Sequence, residues 1–499
     1  MAKIINSDGK IVSSDSRNVQ DTYELSRHDF AKAGQKVILR DLNNNPTSPT
    51  FNKYTKSDII TYLSNPANYE TQLRDAVIYI DGASTKFYRI IRYFASLSDL
   101  SYIVTPYNID VNNAKVDQLT KNRIKTINFL RSMNIKTQGR EMLTVAFRED
   151  VYYATCWVES ESITMQQLPS QYCKIASIEG NVCNVSFDFS YFNTNSALLD
   201  LYPKEFTTKY NAYLKDRRGM RWQDLDSPNS FAIKVNRDIK NYALPPLIGV
   251  LMSLYELEDY KSLKLTKTEL ENYAILVMKL GLINGEFELP YQKAKDFWSN
   301  LSKVLPEEIG TVLSPMDIEK IDFNKNGAAE ADRVEEAQKN IFTDAGVSTL
   351  LFNNEKASAN ALEQSIKADQ ALTFAVVKSF EDALNRMLHA QSFGKNFKIT
   401  FIDSSPWNRD KMAEQYLKAA TYGVPTISAY CATVGLAPED IESISFMEND
   451  MLQIHSKLKP LQSGNSMSGD AISADDSNTP GRPKEETLTD AGETSREYE

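Results

Sequence analysis

In 499 residues the chain has three histidines, His28, His389 and His455, and four cysteines, Cys156, Cys173, Cys183 and Cys431. No two cysteines stand in C-x-x-C spacing, which argues against a structural zinc centre. Three of the four lie in strand-like sequence, where a free thiol reads as a small buried hydrophobe of a reducing compartment. The phosphate-cradling loop G-x-x-x-x-G-K-[ST] is missing, and with it the most recognisable route to ATP. H-E-x-x-H, G-x-S-x-G and G-x-G-x-x-G are missing too, so no catalytic residue, cofactor or metal is expected. The longest largely apolar run, residues 243–255, carries Pro245 and Pro246 and is too short to span a bilayer. The Met-Ala-Lys-Ile-Ile-Asn start has no apolar h-region, so the expectation is a soluble protein made in the cytoplasm.

A uniform positive charge is also absent. The formal charge of −10 argues against a conventional DNA clamp, because duplex binding rests on Lys and Arg neutralising phosphates. It suits a surface past which DNA must slide. Hydrophobic residues make up 42% and aromatics 10%, with 25 Tyr and 22 Phe, enough to bury a substantial core and to allow two to four domain-sized units.

Residues 1–56 are polar, with one helical candidate at 21–33. Helices follow from 57, broken at Asn65-Pro66 and Asp81-Gly82, with Phe87, Ile90, Ile91 and Phe94 on one face of a helix at 86–97. Another helix is predicted at 117–133. From Met142 the period changes to two: 143–147 and 151–158 flank Arg148-Glu149-Asp150, and 172–178 and 182–189 flank Glu179-Gly180-Asn181, giving two hairpins of a small antiparallel sheet. Residues 196–240 read as polar and partly helical. Pro245-Pro246 opens a helix running through Tyr260 towards Lys279, and 281–326 read as a compact insertion with strand-like pieces at 310–316 and 318–323. Helix returns at 328–345, a strand is expected at 397–402, and short helices at 409–422, 427–434 and 438–452. Beyond Ser456 the composition falls to Ser, Gly, Asp, Glu, Thr and Pro, a tail expected to be disordered.

The most informative stretch is 340–370. Gly346 suits a helix C-cap, Asn353-Asn354-Glu355-Lys356 is loop chemistry, and Ser358 is a plausible N-cap. Leu362, Ile366, Thr373, Val376, Val377, Phe380, Leu384 and Leu388 then recur at three- and four-residue steps, one long amphipathic helix. The order G-V-S-x-L-L-F, then S-x-x-A-L-x-x-S-I-x-x-D, resembles the portal proteins, or head-to-tail connectors, of tailed double-stranded DNA bacteriophages. The stretches that open at Leu244-Pro-Pro-Leu-Ile-Gly and at Leu168-Pro-Ser-Gln-Tyr-Cys resemble the same family.

That resemblance implies a helix-rich α+β fold with wing, stem, clip and crown. It assigns 1–56 to an N-terminal arm, 57–244 to the first part of the wing, 245–280 to stem helix 1, 281–326 to the clip and 327–346 to stem helix 2. Residues 347–358 become the tunnel loop, 359–405 the long wing helix and its strand, 406–455 the crown and 456–499 the tail. It further implies a homo-oligomeric ring, a dodecamer in the family's virions, that passes double-stranded DNA without sequence specificity. The implied partners are major capsid and scaffold proteins, the terminase large subunit and head-tail adaptors. Through the resemblance Asn353, Asn354, Glu355 and Lys356 are candidates for the channel constriction.

Lys261, Lys264 and Lys267 recur every three residues and share one broad helix face. They could ring a channel, or could be a solvated face paired with nearby acids. Asp224, Asp226, Glu256, Glu258 and Asp259 read as solvated surface, His389 as a hydrogen-bonded structural residue, and the sequon Asn184-Val-Ser186 as accidental. Two rivals stay open: another virion protein, such as a minor head or baseplate component, and a hydrolase acting through carboxylates.

Overall fold

The computed structural model describes residues 4–5, 11–12, 53–110, 112–159, 162–272, 274–279, 282–283, 286–287, 293, 296, 297, 300, 309–314, 327–347 and 359–457. Two units divide the chain, Met1–Glu442 and Ser443–Glu499. Helices α1 (Lys56–Ser64), α2 (Glu70–Ala83) and α3 (Thr85–Ser96) come first. The expected break at Asp81-Gly82 falls later: α2 continues to Ala83, and Ser84 both ends it and caps α3, its side chain accepting from the Phe87 N–H. Strand β1 (Tyr102–Pro106) leads to α4 (Val116–Met133) and α5 (Ile135–Glu149).

Helix α5 overturns the strand expected at 143–147. Leu143, Val145 and Phe147 alternate over five residues, but Ile135, Gln138, Gly139, Met142, Leu143, Ala146 and Phe147 are buried with helical period over the whole span. Gly139 lets this helix approach its neighbours, since a Cβ there would meet Leu100 Cδ1 at 2.7 Å and Phe380 Cε1 at 3.4 Å.

The sheet consists of β2 (Val151–Glu159), β3 (Ser162–Gln167), β4 (Cys173–Glu179) and β5 (Val182–Asp188), then, after helix α6 (Lys204–Lys215), β6 (Trp222–Asp224) and β7 (Ser230–Lys234). All its pairings are antiparallel, in the order β3-β2-β7-β5-β4, with β6 on β5. The 172–189 hairpin is as expected, whereas β2 turns into β3 rather than back onto 143–147. The central strand β7 was hidden in sequence read as helical, because Lys234 interrupts an otherwise apolar Phe231-Ala-Ile-Lys-Val.

Period-two alternation gives the sheet two cores. Tyr152, Ala154, Cys156, Phe231 and Ile233 join the large core built with the helices, while Val151, Tyr153, Cys183, Val185, Phe187 and Ala232 face a second core with Phe189, Phe192, Tyr202 and Phe206. Phe187 alone has ring neighbours at 5.3 Å in both Phe189 and Phe206, in edge-on geometry, the arrangement that ring quadrupoles favour.

Helix α7 spans Val250–Asn272. It starts later than Pro245, because tight turns closed by Ile248 N–H to Pro245 O (3.1 Å) and Val250 N–H to Leu247 O (3.1 Å) precede it. It also stops before 279: β8 (Ala274–Lys279) follows, a β-branched and apolar run pairing in parallel with β9 (Ile309–Ser314). Helices α8 (Gly327–Asp344) and α9 (Ala359–Ala390) come next, and then β10 (Phe397–Phe401), antiparallel to β1. Helices α10 (Arg409–Thr421), α11 (Ile427–Thr433) and α12 (Pro438–Phe446) close the first unit and enter the second. The helix expected through 452 passes at Met447 into a wider π-type turn, Met447–Met451. The helix expected at 21–33, the strand piece at 318–323 and the tail beyond 457 lie outside the described residues.

The fold is thus α+β and helix-rich. Its long helix α9 covers the sheet with Val376, Val377, Phe380, Leu384 and Leu388, all buried.

Candidate functional site

The root of α7 is fixed by a buried ion pair. Asp150 follows α5 with positive φ, 75°, and its carboxylate accepts from Lys234 Nζ, from the Asn236 N–H at 2.7 Å and from the Leu244 N–H at 3.0 Å. Lys234 also donates to Tyr242 O at 2.9 Å, and the Asn236 amide to Leu244 O at 2.7 Å. Burial pushes the Asp150 pKa up against the pull of Lys234 and the two backbone N–H groups. A carboxylate so fully engaged clamps the 236–244 segment; it has no free lone pair aimed at a substrate.

From this clamp α7 runs alongside α8. Val250, Leu251, Leu254 and Leu257 enter one core with Ala337, Ile341 and Phe342. Ser253, near the start of α7, hydrogen-bonds Asp344 at the end of α8, so the two helices are antiparallel and 273–326 is an insertion at their far end. Tyr255 donates to Tyr54 O at 2.6 Å.

Past Glu258 the helix changes character. Every residue from Asp259 to Lys264 is exposed, Leu263 at 65% among them. Lys261 is paired within the helix, Nζ to Glu258 Oε1 at 2.7 Å, which favours the paired solvated face for this residue. Lys264 is exposed on the same stretch. Lys267 lies in α7, but its side chain is outside the described residues. Beside the pair sits Lys86 of α3, whose Nζ is enclosed without a hydrogen-bond partner. Burial pushes its pKa down, as does Lys261, with Glu258 opposing.

Helix α8 ends as the sequence predicts. Gly346 has φ 66°, its N–H bonds Thr343 O at 3.0 Å, and the Val347 N–H bonds Phe342 O at 3.1 Å. This paired closure demands a left-handed residue, which glycine supplies at least cost. Asn353, Asn354, Glu355 and Lys356 lie outside the described residues, between the buried Val347 and the start of α9.

The remaining candidates are structural. His389 Nε2 is 2.9 Å from Phe397 O and its ring stacks on Tyr107. Asn184 is buried in β5, donating to Ser177 Oγ at 2.8 Å and accepting from Arg386 at 2.6 Å, so the sequon is closed off in the fold. Glu256 faces Lys56 at 3.5 Å, Asp224 and Asp259 are exposed, and the Asp226 N–H is held by Glu205 at 2.7 Å. Cys156, Cys173 and Cys183 are buried, and burial pushes the Cys156 thiol far up, away from nucleophilic use. Among the described residues no group of three His, Cys, Asp or Glu side chains is placed to hold a metal ion, and no helix is long and apolar enough to cross a membrane.

Sequence reasoning missed the charges that hold this region. Arg74 donates to Ser170 O (2.8 Å) and Glu70 (2.7 Å), Ser170 Oγ to Glu149 (3.1 Å), and Arg148 bridges Glu149 and Asp81. Arg148-Glu149-Asp150 looked like turn chemistry because nothing local marks charges as buried.

No protein-family model matches the chain, and no curated protein matches it. Among solved structures it is similar to chains of gene transfer agent particles. One, from the virion of a native particle, has a TM-score of 0.40 at 12% identity, covering 77% of this chain and 100% of that one. Another, from the neck of an empty particle computed with C6 symmetry, has 0.40 at 11%, covering 80% and 98%. A third, from the neck of a native particle computed with C12 symmetry, has 0.40 at 12%, covering 77% and 95%. Likeness of this depth carries no weight on function.

Proposed function

We propose that this chain is a ring-forming portal subunit of a phage-type virion, a conduit for DNA at one capsid vertex. The observation that carries the reading is the antiparallel pair α7/α8, which brackets an insertion and is followed, after residues 348–358, by the 32-residue helix α9. Helix, small α/β insertion, helix, loop, long helix is the order expected of stem, clip, stem, tunnel loop and wing. The exposed stretch Asp259–Lys264 of α7 fits a helix that packs against the next copy. Heterologous contacts of one chain close into a ring and leave a hole on the axis.

On this reading α7 and α8 line the channel, residues 347–358 form the tunnel loop with Asn353, Asn354, Glu355 and Lys356 at its constriction, and the 281–326 segment meets head-tail adaptors. The ring is a dodecamer in the virion, docking the terminase large subunit during packaging and capsid and scaffold proteins during assembly. No covalent step is assigned to it. Negative-stain imaging of the purified chain tests the proposal: rings with a central hole are expected, and a strictly monomeric mass at micromolar concentration across a range of salt overturns it.

A further inference from the structure

Helix α6 ends at Lys215, and the chain turns through Arg221 into β6. From Lys215 to Arg221 the sequence holds four basic residues and one acid, Asp216, a balance of four minus one, or +3, in a chain of formal charge −10. The last side chain that α6 buries is Tyr213. Every residue from Leu214 to Arg221 is exposed, Leu214 at 44% and Met220 at 45% among them.

Hydrogen bonds fix this turn at both ends. Asp216 Oδ1 accepts from the Arg218 N–H at 3.2 Å and from the Gly219 N–H at 2.9 Å, and the Met220 N–H bonds Asp216 O at 3.0 Å. Gly219 permits this closure, because a Cβ there would overlap the Asp216 carboxylate. On the other side the Gln223 amide donates to Met220 O at 2.8 Å, the Phe189 N–H bonds Arg221 O at 2.9 Å, and the Arg221 guanidinium closes on Asp188. One carboxylate is thus committed to the backbone of the turn and the other to Arg221. Lys215, Arg217 and Arg218 are exposed and form no ion pair among the described residues.

We propose that the turn from Leu214 to Met220 is a docking site for an acidic segment of another protein, one that carries apolar residues among its carboxylates. Arginine presents a planar fork that takes a carboxylate in two parallel hydrogen bonds, and Arg and Met are enriched where proteins meet. A single exposed ion pair is worth little in water, so charge alone does not hold a partner here. Leu214 and Met220, on either side of the arginines in sequence, supply the apolar contact that charges lack. A phosphodiester backbone fits less well, because its contacts are made to charged and polar oxygens and leave those two side chains unmatched. A turn already held by its own hydrogen bonds loses little freedom on binding. The site uses no residue of α7, α8 or 347–358, so it stands or falls separately from the channel reading.

The test is binding of the full-length protein to a fluorescein-labelled peptide of Glu-Glu-Leu repeats, followed by anisotropy at about 50 mM salt. The wild type should bind this peptide, bind polyglutamate more weakly and fail to bind Gln-Gln-Leu repeats. The triple variant Lys215→Gln, Arg217→Gln, Arg218→Gln should lose at least about tenfold in affinity and keep its melting temperature, since all three side chains are exposed. Leu214→Ala with Met220→Ala should weaken the leucine-bearing peptide and leave polyglutamate unchanged. Arg217→Glu with Arg218→Glu should abolish binding of the acidic peptide and confer binding of Lys-Lys-Leu repeats, a gain that misfolding cannot produce. Undiminished binding by the triple variant overturns the proposal, as does a wild type that fails to bind the acidic peptide. A DNA duplex displacing that peptide charge for charge overturns it too, and assigns the turn to phosphates.

Discussion

Helix α9 buries a side chain on nearly every turn from Ile366 to Leu388, whereas α7 buries its first turns and then presents every residue from Asp259 to Lys264 to solvent. The long helix is also held by directional bonds. Thr373 donates to Phe94 O at 3.2 Å, the Asn385 amide exchanges two 2.9 Å bonds with the Ile399 backbone, and Arg386 reaches Ser230 O at 3.0 Å. Past Glu258 the described bonding of α7 side chains includes the exposed Lys261–Glu258 pair, a contact of a kind worth little in water. A helix draws most of its stability from packing an apolar face. The first helix therefore belongs to the subunit, and on the proposed reading the exposed stretch Asp259–Lys264 of the second is where the next copy would pack.

The largest effect that could break this contrast is expected at Phe380. It is fully buried on α9, with ring centroids 5.8 Å from Phe401 and 6.2 Å from Phe231. Phe380→Ala should cost about 3–5 kcal/mol of subunit stability in urea unfolding. A loss below about 1 kcal/mol would mean that α9 is not held by its seat on the sheet.

Gly346 tests the end of α8, the helix that packs beside α7. A Cβ there meets nothing within 4 Å, so Gly346→Ala isolates the cost of a left-handed backbone, about 1–2 kcal/mol. An unchanged melting temperature would show that the closure at the end of α8 relaxes freely.

The sheet adds an electrostatic signature. Burial alone would raise the pKa of Asp188, but the Arg221 fork (2.8–3.2 Å) and the Ser190 N–H (2.9 Å) outweigh it and hold it below the usual carboxylate range. A depressed folded pKa gives stability that is present above the unfolded value, near 4, and lost as pH falls through the folded one. Arg221→Gln should flatten that acid limb, at a cost near neutrality of roughly 1 kcal/mol or less because Arg221 is more than half exposed. An acid limb identical to wild type would remove Asp188 from the account.

Much of this architecture was legible. The span of α9, the cap at Gly346 and the β4/β5 hairpin follow from period, turn chemistry and left-handed glycine, all local signals. What escaped was set by distant partners. Strand β7 reads as polar because Lys234 is a core residue only once Asp150 is beside it, and 143–147 reads as strand until the burial of α5 is seen over four turns. The proposed site was legible only as order: lysines at 261, 264 and 267 and a polar stretch at 353–356 are ordinary in sequence, and only the portal reading of the α7/α8 pair would give them a common context.

The smallest effect on the subunit sharpens the contrast most. Leu263 is 65% exposed, so truncating it removes little apolar surface from any contact within the chain, and Leu263→Ala should change subunit stability by about 0.5 kcal/mol or less. In a closed ring the same side chain would be covered by the next copy, once per interface. Each interface would then lose a buried leucine, worth about 1.5–3 kcal/mol when fully enclosed, and repetition around the ring multiplies the loss. Mass photometry should therefore show the variant shifted from rings to free subunits at protein concentrations where the wild type stays assembled, with urea unfolding of the free subunit unchanged. Equal assembly of variant and wild type would show that this turn of α7 faces solvent in the ring as well, and would move the subunit contact elsewhere on the helix pair.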